Sequence, residues 1–377
     1  MYEKSINFLL ENAGPVIIYR LHKEILRDLS EANENKLLEK VYNMPRYKLL
    51  KKFIKPNGYI GIDMHGGDKY KETPLQDGET AARLLSYYSI PKANPVIKNF
   101  IQAIRNDEIL KDEFSFSNSA VKKYEERFLG LNSGYGLMVL IYTIQAMLGY
   151  GDNFEDVKNF QNISLKSFTN TLNYSSLKDM TKPGKSKTKK YNYPYIEGNT
   201  FFPCAYHLTT LAYTNTWRTK SNLSLMANAI NHLSIMINKE YNIHIKIGSN
   251  YYVPLWAFTR PLKTFSAKLV PENYAMYRRV LTEIAMLGIG GKVNIIIDSV
   301  INLEKEIAED GILRIKFCNS YQKSRYLKML EFPTAYSEIS LEEDYRKPNA
   351  LECDLTFWAL QFLTTKKTPP LPGELMV

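Results

Sequence analysis

The strongest constraint on this chain is a helical module that recurs loosely along it: a strongly apolar helix, a short turn, then an amphipathic helix. Four copies are legible as Glu79–Ile90 with Pro95–Ile104, Gly136–Gly149 with Asn153–Phe168, Ala205–Thr216 with Ser221–Ile237, and Met276–Ile289 with Lys292–Ile307. A further apolar helix is expected at Leu355–Leu363. The second member of each pair is one-sided. Leu223, Met226, Ile230, Leu233 and Ile237 step by three or four residues, as do Val293, Ile296, Val300, Leu303 and Ile307, so each set lies on one helical face. The first members differ: Leu137, Met138, Val139, Leu140, Ile141, Ile144, Met147 and Leu148 surround their axis, and a helix apolar all round must be buried on most sides. Buried helices alternating with half-exposed ones predict an inner layer wrapped by an outer one.

Helix stops and starts agree with this. Pro91, Gly149, Gly151, Gly288, Gly290 and Gly291 follow apolar helices, where a helix is commonly terminated. Asn94-Pro95 and Thr219-Lys220-Ser221-Asn222 open the outer ones. Strand signals are few: Ile243–Ile247 and Ile312–Phe317 read as short strands or extended loops.

At 377 residues, 45% hydrophobic and 23% charged, the chain has material for one large repeat-built core. The expected organisation is a single all-α domain over 1–377, with 175–200 a basic loop insertion and 364–377 a C-terminal tail. No apolar run is long enough to span a bilayer, and the segment Met1–Glu11, with Glu3, Lys4 and Glu11, is unlike a signal peptide. Cys204, Cys318 and Cys353 are too few and too scattered for a disulfide framework, which points to the cytoplasm. The net charge of +10 owes much to Lys178–Lys190, with six lysines and one aspartate. Such a stretch reads as a solvated loop. Without a groove-reading or stacking module beside it, no nucleic-acid partner is expected.

The stretches Gly14-Pro15-Val16-Ile17-Ile18-Tyr19-Arg20, Leu49-Leu50 and Asn57-Gly58-Tyr59-Ile60-Gly61 resemble those of bacterial relatives of the squalene cyclases and protein prenyltransferases. Thr80–Ile90 and Phe201–Tyr213 resemble inner helices of that superfamily. The resemblance implies an α/α toroid whose central cavity takes an apolar or isoprenoid small molecule. It also implies two chemistries. Protonative cyclisation uses an Asp-x-Asp-Asp acid, which this chain lacks. Glu342-Glu343-Asp344 comes nearest, but it lies in a polar segment between Ser340 and Arg346, and charged runs are ordinarily solvated. Prenyl transfer uses zinc held by Asp, Cys and His. Cys204 and His207, spaced i and i+3, have usable ligand geometry. They would need a third ligand from Cys353, Asp354 or His65. The other reading is a small buried cysteine and a satisfied core histidine. The ligand set is incomplete, so no metal and no cofactor is expected.

Three polar groups remain as a candidate ligand site. Tyr206, His207, Thr210, Tyr213, Trp217 and Arg218 crowd one otherwise apolar helix; Trp256 and Arg260 stand near Tyr251 and Tyr252; Asp63, His65 and Asp68 occupy a glycine-bearing loop before Glu79. Buried polar atoms find partners in one another or in a ligand. With 27 tyrosines, hydroxyls laddering between helices are the alternative. Two functional classes follow: a terpenoid cyclase- or prenyltransferase-like protein binding or converting a small molecule, and a non-catalytic module holding a peptide, glycan or protein partner. No catalytic residue is assigned, and no phosphate loop, nucleophile elbow or calcium loop is present.

Overall fold

A computed structural model describes residues 2–65, 75, 77–113, 130–133, 136–184, 193–252, 258–267, 274–331 and 338–365. In chain order the helices are α1 (Glu3–Asn12), α2 (Pro15–Arg20), α3 (Glu31–Tyr42), α4 (Pro45–Lys51), α5 (Gly78–Tyr87), α6 (Pro95–Ile104), α7 (Asp107–Glu113), α8 (Leu137–Met147), α9 (Glu155–Thr169), α10 (Leu177–Met180), α11 (Ala205–Ala212), α12 (Lys220–Met236), α13 (Tyr274–Met286), α14 (Asn294–Glu306), α15 (Ser320–Glu331) and α16 (Ala350–Thr365). The strands β1 (Tyr195–Glu197), β2 (His244–Ile247) and β3 (Asn250–Tyr252) form one small sheet in that order. The protein is mostly helical, as the periodicity requires.

The chain divides into two compact units. One comprises Met1–Ile109, Thr264–Thr282 and Ile297–Lys367; the other Leu110–Lys263, Glu283–Ile296 and Thr368–Val377. In the first unit α16, buried along most of its length from Cys353 to Leu363, packs against α1, α2 and the π-helical turn Leu21–Leu26. Ser5 Oγ on α1 donates to the Gly311 carbonyl at 2.5 Å. In the second unit α11 packs against α8 and α9, and α9 packs in turn on α12. The expected contrast in burial is present there. All of α11 and most of α8 are buried, whereas α12 hides Met226, Ile230 and Leu233 and exposes Leu225 and Ile235.

Helix starts follow the capping residues. Asn94 accepts from the Val96 N–H at 2.9 Å with Pro95 at the first helical position, and Thr219 accepts from the Asn222 N–H at 3.1 Å. Such caps contribute about 1 kcal/mol each. The third apolar helix is shorter than its pattern, ending at Ala212 where Thr216 was expected. Trp217 and Arg218 turn back onto the freed carbonyls. Trp217 Nε1 lies 3.0 Å from Leu211 O and 3.1 Å from Thr214 O, while Arg218 donates to Thr214 O at 2.9 Å and Ala212 O at 3.0 Å. The last four carbonyls of a helix have no partner within it, and here side chains supply the donors. Of the two strand candidates, Ile243–Ile247 contains β2, and Ile312–Phe317 is extended loop held by single bonds such as Lys316 N–H to Ala267 O at 3.0 Å.

One expectation is corrected. Glu342-Glu343-Asp344 is not a solvated run: Glu342 is buried and Glu343 half-buried, leaving Asp344 to pair with Arg346 at the surface. Charge density in the sequence is silent about which carboxylates meet donors, and these meet several. Glu342 Oε1 accepts from the Gly14 N–H at 2.6 Å, and Glu343 Oε1 from the Arg46 N–H at 2.9 Å and the Tyr88 hydroxyl at 3.3 Å.

Candidate functional site

In the first unit a tight turn carries the chain toward the start of α5. Asn57 Oδ1 accepts from the Tyr59 N–H at 3.0 Å, the Lys55 N–H donates to Tyr59 O at 2.8 Å, and the Gly61 N–H donates to Phe53 O at 3.0 Å. Gly58 has φ +86°, and a Cβ there would meet the Asn99 carbonyl oxygen at 2.9 Å; glycine is required for both reasons. Tyr59, buried, meets Phe100 edge-on at 6.0 Å. Beyond the turn, residues 63–64 run beside the helix start: the Gly78 N–H donates to Asp63 O at 2.9 Å and the Glu79 N–H to Met64 O at 3.1 Å.

Asp77 caps α5, accepting from the Thr80 N–H and the Thr80 hydroxyl, both at 2.8 Å. Glu79 follows in the first turn, 1% exposed, where the helix dipole favours a carboxylate by about 0.3–1 kcal/mol. Its Oε2 is 2.8 Å from His65 Nδ1, and its Oε1 is 3.5 Å from Nη2 of the wholly buried Arg83, one turn on. His65 keeps 32% of its side chain exposed. Burial opposes a charge on this imidazole, but the bond to Glu79 and the charges of Glu79, Asp77 and Asp63 outweigh it, so its pKa is raised above 6.5. Burial, with the neighbouring Glu79 charge, raises Asp77 to about 6. Asp77, raised to about 6, and His65, raised above its ordinary value, partly open to solvent and oriented by a buried carboxylate, are groups equipped for proton transfer.

Asp63, His65 and Glu79 therefore come together. Asp77 and Arg83 were not foreseen, although Asp77 three residues before Thr80 is a capping pattern. Asp68 and Trp256 lie outside the described residues.

The other expected residues belong to the second unit. Tyr206 is buried on α11. Thr210 Oγ1 meets Thr143 Oγ1 of α8 at 3.2 Å, and Tyr213 is the residue at which α11 ends. Trp217 and Arg218 are occupied with the helix end, the guanidinium 5.6 Å from the ring centre. Arg260 pairs with Glu240 at 2.7 Å on the surface. His207 is wholly buried against Phe160, their ring centres 5.5 Å apart, and its Nε2 lies 3.0 Å from Leu131 O. Burial lowers its pKa to about 4, so the ring is neutral and the bonded Nε2 carries the proton. Cys204 caps α11. Among the described residues, no group of three or more His, Cys, Asp or Glu is placed to hold a metal ion.

A second concentration of acids lies in the first unit and includes Glu342 and Asp354. Glu338 pairs with Arg278 at 2.6 Å, both buried. Asp354 of α16 accepts from the Leu341 N–H at 3.0 Å and from the Tyr345 hydroxyl. Burial raises Glu338 and Glu342 to about 7 and raises Asp354 as well. Their donors are the chain's own backbone and side chains, which makes this cluster a tie between the 338–346 segment, α2, α4 and α16.

No helix is long and apolar enough to cross a membrane among the described residues. No family model, curated protein or solved structure matches the chain.

Proposed function

We propose that this chain is an enzyme of the α/α toroid class whose working site is the His65–Glu79 pair, used as a general acid–base toward a small apolar or amphipathic molecule. The observation that carries the reading is the 2.8 Å bond from His65 Nδ1 to a carboxylate that is 1% exposed, on an imidazole that is itself partly open. A carboxylate so placed fixes the ring and favours its protonated form, as in the orienting pairs of general acid–base sites. Asp77 supplies a second proton-carrying group in the same cluster. The toroid is supported by the layering of α8 and α11 under α9 and α12, and the isoprenoid identity of the substrate rests on the sequence resemblance alone.

The test is turnover of a panel of prenyl diphosphates and polyprenes by the purified protein, its His65→Ala variant and its Glu79→Gln variant. The reading expects product from the wild type and losses of roughly 100-fold or more in the variants, the usual contribution of a general acid or base. Turnover unaffected by His65→Ala would defeat the assignment of the site.

A non-catalytic binding module is the second reading. It is favoured by α11, where the indole of Trp217 and the guanidinium of Arg218 are bonded to the chain's own carbonyls. Binding of a panel compound without conversion, unchanged by His65→Ala, would select it.

A further inference from the structure

We infer that the outer face of the three-stranded sheet, with the cleft it runs into, binds single-stranded nucleic acid. The register sets the face. Tyr195 pairs with His244, Glu197 with Lys246, and Lys246 with Tyr251, while Ile196 and Ile245 pair on the opposite side and are buried. Side chains alternate across a strand, so Tyr195, His244, Lys246 and Tyr251 share the outward side. Their rings form a strip: Tyr195 meets Tyr251 at 5.3 Å and His244 meets Tyr251 at 6.5 Å, both edge-on, and Tyr193 lies 5.0 Å from His244. Tyr251, on the edge strand, is 44% exposed.

The charges lie where a phosphate backbone would need them. Lys246 Nζ stands 5.2 Å from the centre of the Tyr195 ring, and Lys182, bridged to Tyr195 through the backbone, is 62% exposed. Both reach Glu197, at 3.8 and 3.2 Å. Two ammonium groups against one carboxylate leave the face net positive, on a chain whose own charge is +10. Lys182, Glu197 and Lys246 also line a cleft of about 710 Å³ floored by Leu131, Ile163 and Ile247. The rings lie on the sheet and the two lysines border the cleft beside it, an extended arrangement that suits a strand with successive bases better than one enclosed mononucleotide. Bases stack on exposed aromatic side chains while lysines track the phosphates, largely without regard to sequence.

The test is fluorescence anisotropy of a labelled uridine strand of about ten nucleotides, a length within single-strand site sizes. It is run on the full chain and on Tyr251→Ala, Tyr251→Phe, Lys246→Ala and His65→Ala, with circular dichroism to check folding. The expected result is salt-dependent binding that Tyr251→Phe and His65→Ala retain and Tyr251→Ala weakens about tenfold, the loss of one stacked base. Lys246→Ala should flatten the slope of log affinity against log salt by about 0.7. Absence of binding, equal binding by the wild type, Tyr251→Ala and Lys246→Ala, loss in His65→Ala alone, or competition by free uridine monophosphate as strong as by the strand would each overturn the inference.

Discussion

The backbone N–H of Gly14 donates to Oε1 of Glu342 at 2.6 Å, closing 328 residues of chain onto the start of α2. A Cβ at position 14 would stand 2.7 Å from Glu342 Oε2, so an added methyl would push on the carboxylate of a buried acid and on its bond to the Gly14 N–H. Gly14→Ala is therefore expected to destabilise the protein by about 1–3 kcal/mol, the usual cost of overpacking. Glu342→Ala in the same chain should relieve part of that loss. Thermal melts of both singles and the double would reveal the coupling; strict additivity would show that the contact carries no strain.

Stability should fall as pH rises through neutrality. Glu338 and Glu342 have ordinary values of 4.5 and folded values of about 7, and Asp77 rises from 3.8 to about 6. Between those limits the folded protein holds protons that the unfolded chain has released, so the slope of stability against pH is negative. His65, also raised from 6.5, acts with the same sign: its contribution is present below 6.5 and is lost above its folded value. Melting temperature followed from pH 5 to 8 should decline, and Glu338→Gln should flatten the decline. A rising profile would contradict the protonated cluster.

The His65–Glu79 bond has its own reading. Proton NMR titration should place the His65 pKa above 6.5, and Glu79→Gln should lower it, because the hydrogen-bonded charge is what offsets burial. An unchanged value in the variant would mean that the charges of Asp77 and Asp63 offset the burial of His65 instead.

Much of the helical architecture was legible because burial leaves a periodic trace. Val293, Ile296, Val300, Leu303 and Ile307 are buried while Ile297 and Ile301 on the same helix are exposed, as one-sided spacing demands. The early end of α11 was not legible, since Trp217 and Arg218 continue its polar stripe in sequence and only their return to Leu211 and Ala212 shows them as a cap. The site was half legible. Asp63, His65 and Glu79 stood out as polar residues beside glycine, but the inward turn of Glu342 depends on a partner 328 residues away, Gly14. Local charge density says nothing of this.

Trp217→Phe should keep an aromatic side chain but lose the indole donor to Leu211 O, leaving that carbonyl only a long bond from Arg218, while Thr214 O keeps its bond from Arg218. The expected cost is about 1–3 kcal/mol, or a fall of several degrees in melting temperature at roughly 2–4 °C per kcal/mol. A neutral substitution would show that water caps the helix.

Cys204→Ser should be nearly silent, within about 1 kcal/mol, because serine is itself a favoured residue at a helix N-terminal cap. His207→Ala should cost more, about 2–4 kcal/mol, through the cavity beside Phe160 and the loss of the donor to Leu131 O. Stoichiometric zinc in the purified protein that disappears on Cys204→Ser would reverse this order of importance and restore the cysteine–histidine pair as ligands.

The packing of α1 and α2 against α16 has a consequence for synthesis. As the chain leaves the ribosome, the apolar faces of Glu3–Asn12 and Pro15–Arg20 exist long before Ala350–Thr365 has been translated. Contacts so distant in sequence form late and slowly. Until then the nascent chain offers those faces to whatever binds sticky segments, and chaperone demand should track elongation time. A stall before Ala350–Thr365 has emerged would prolong that exposure and with it the opportunity for misassembly.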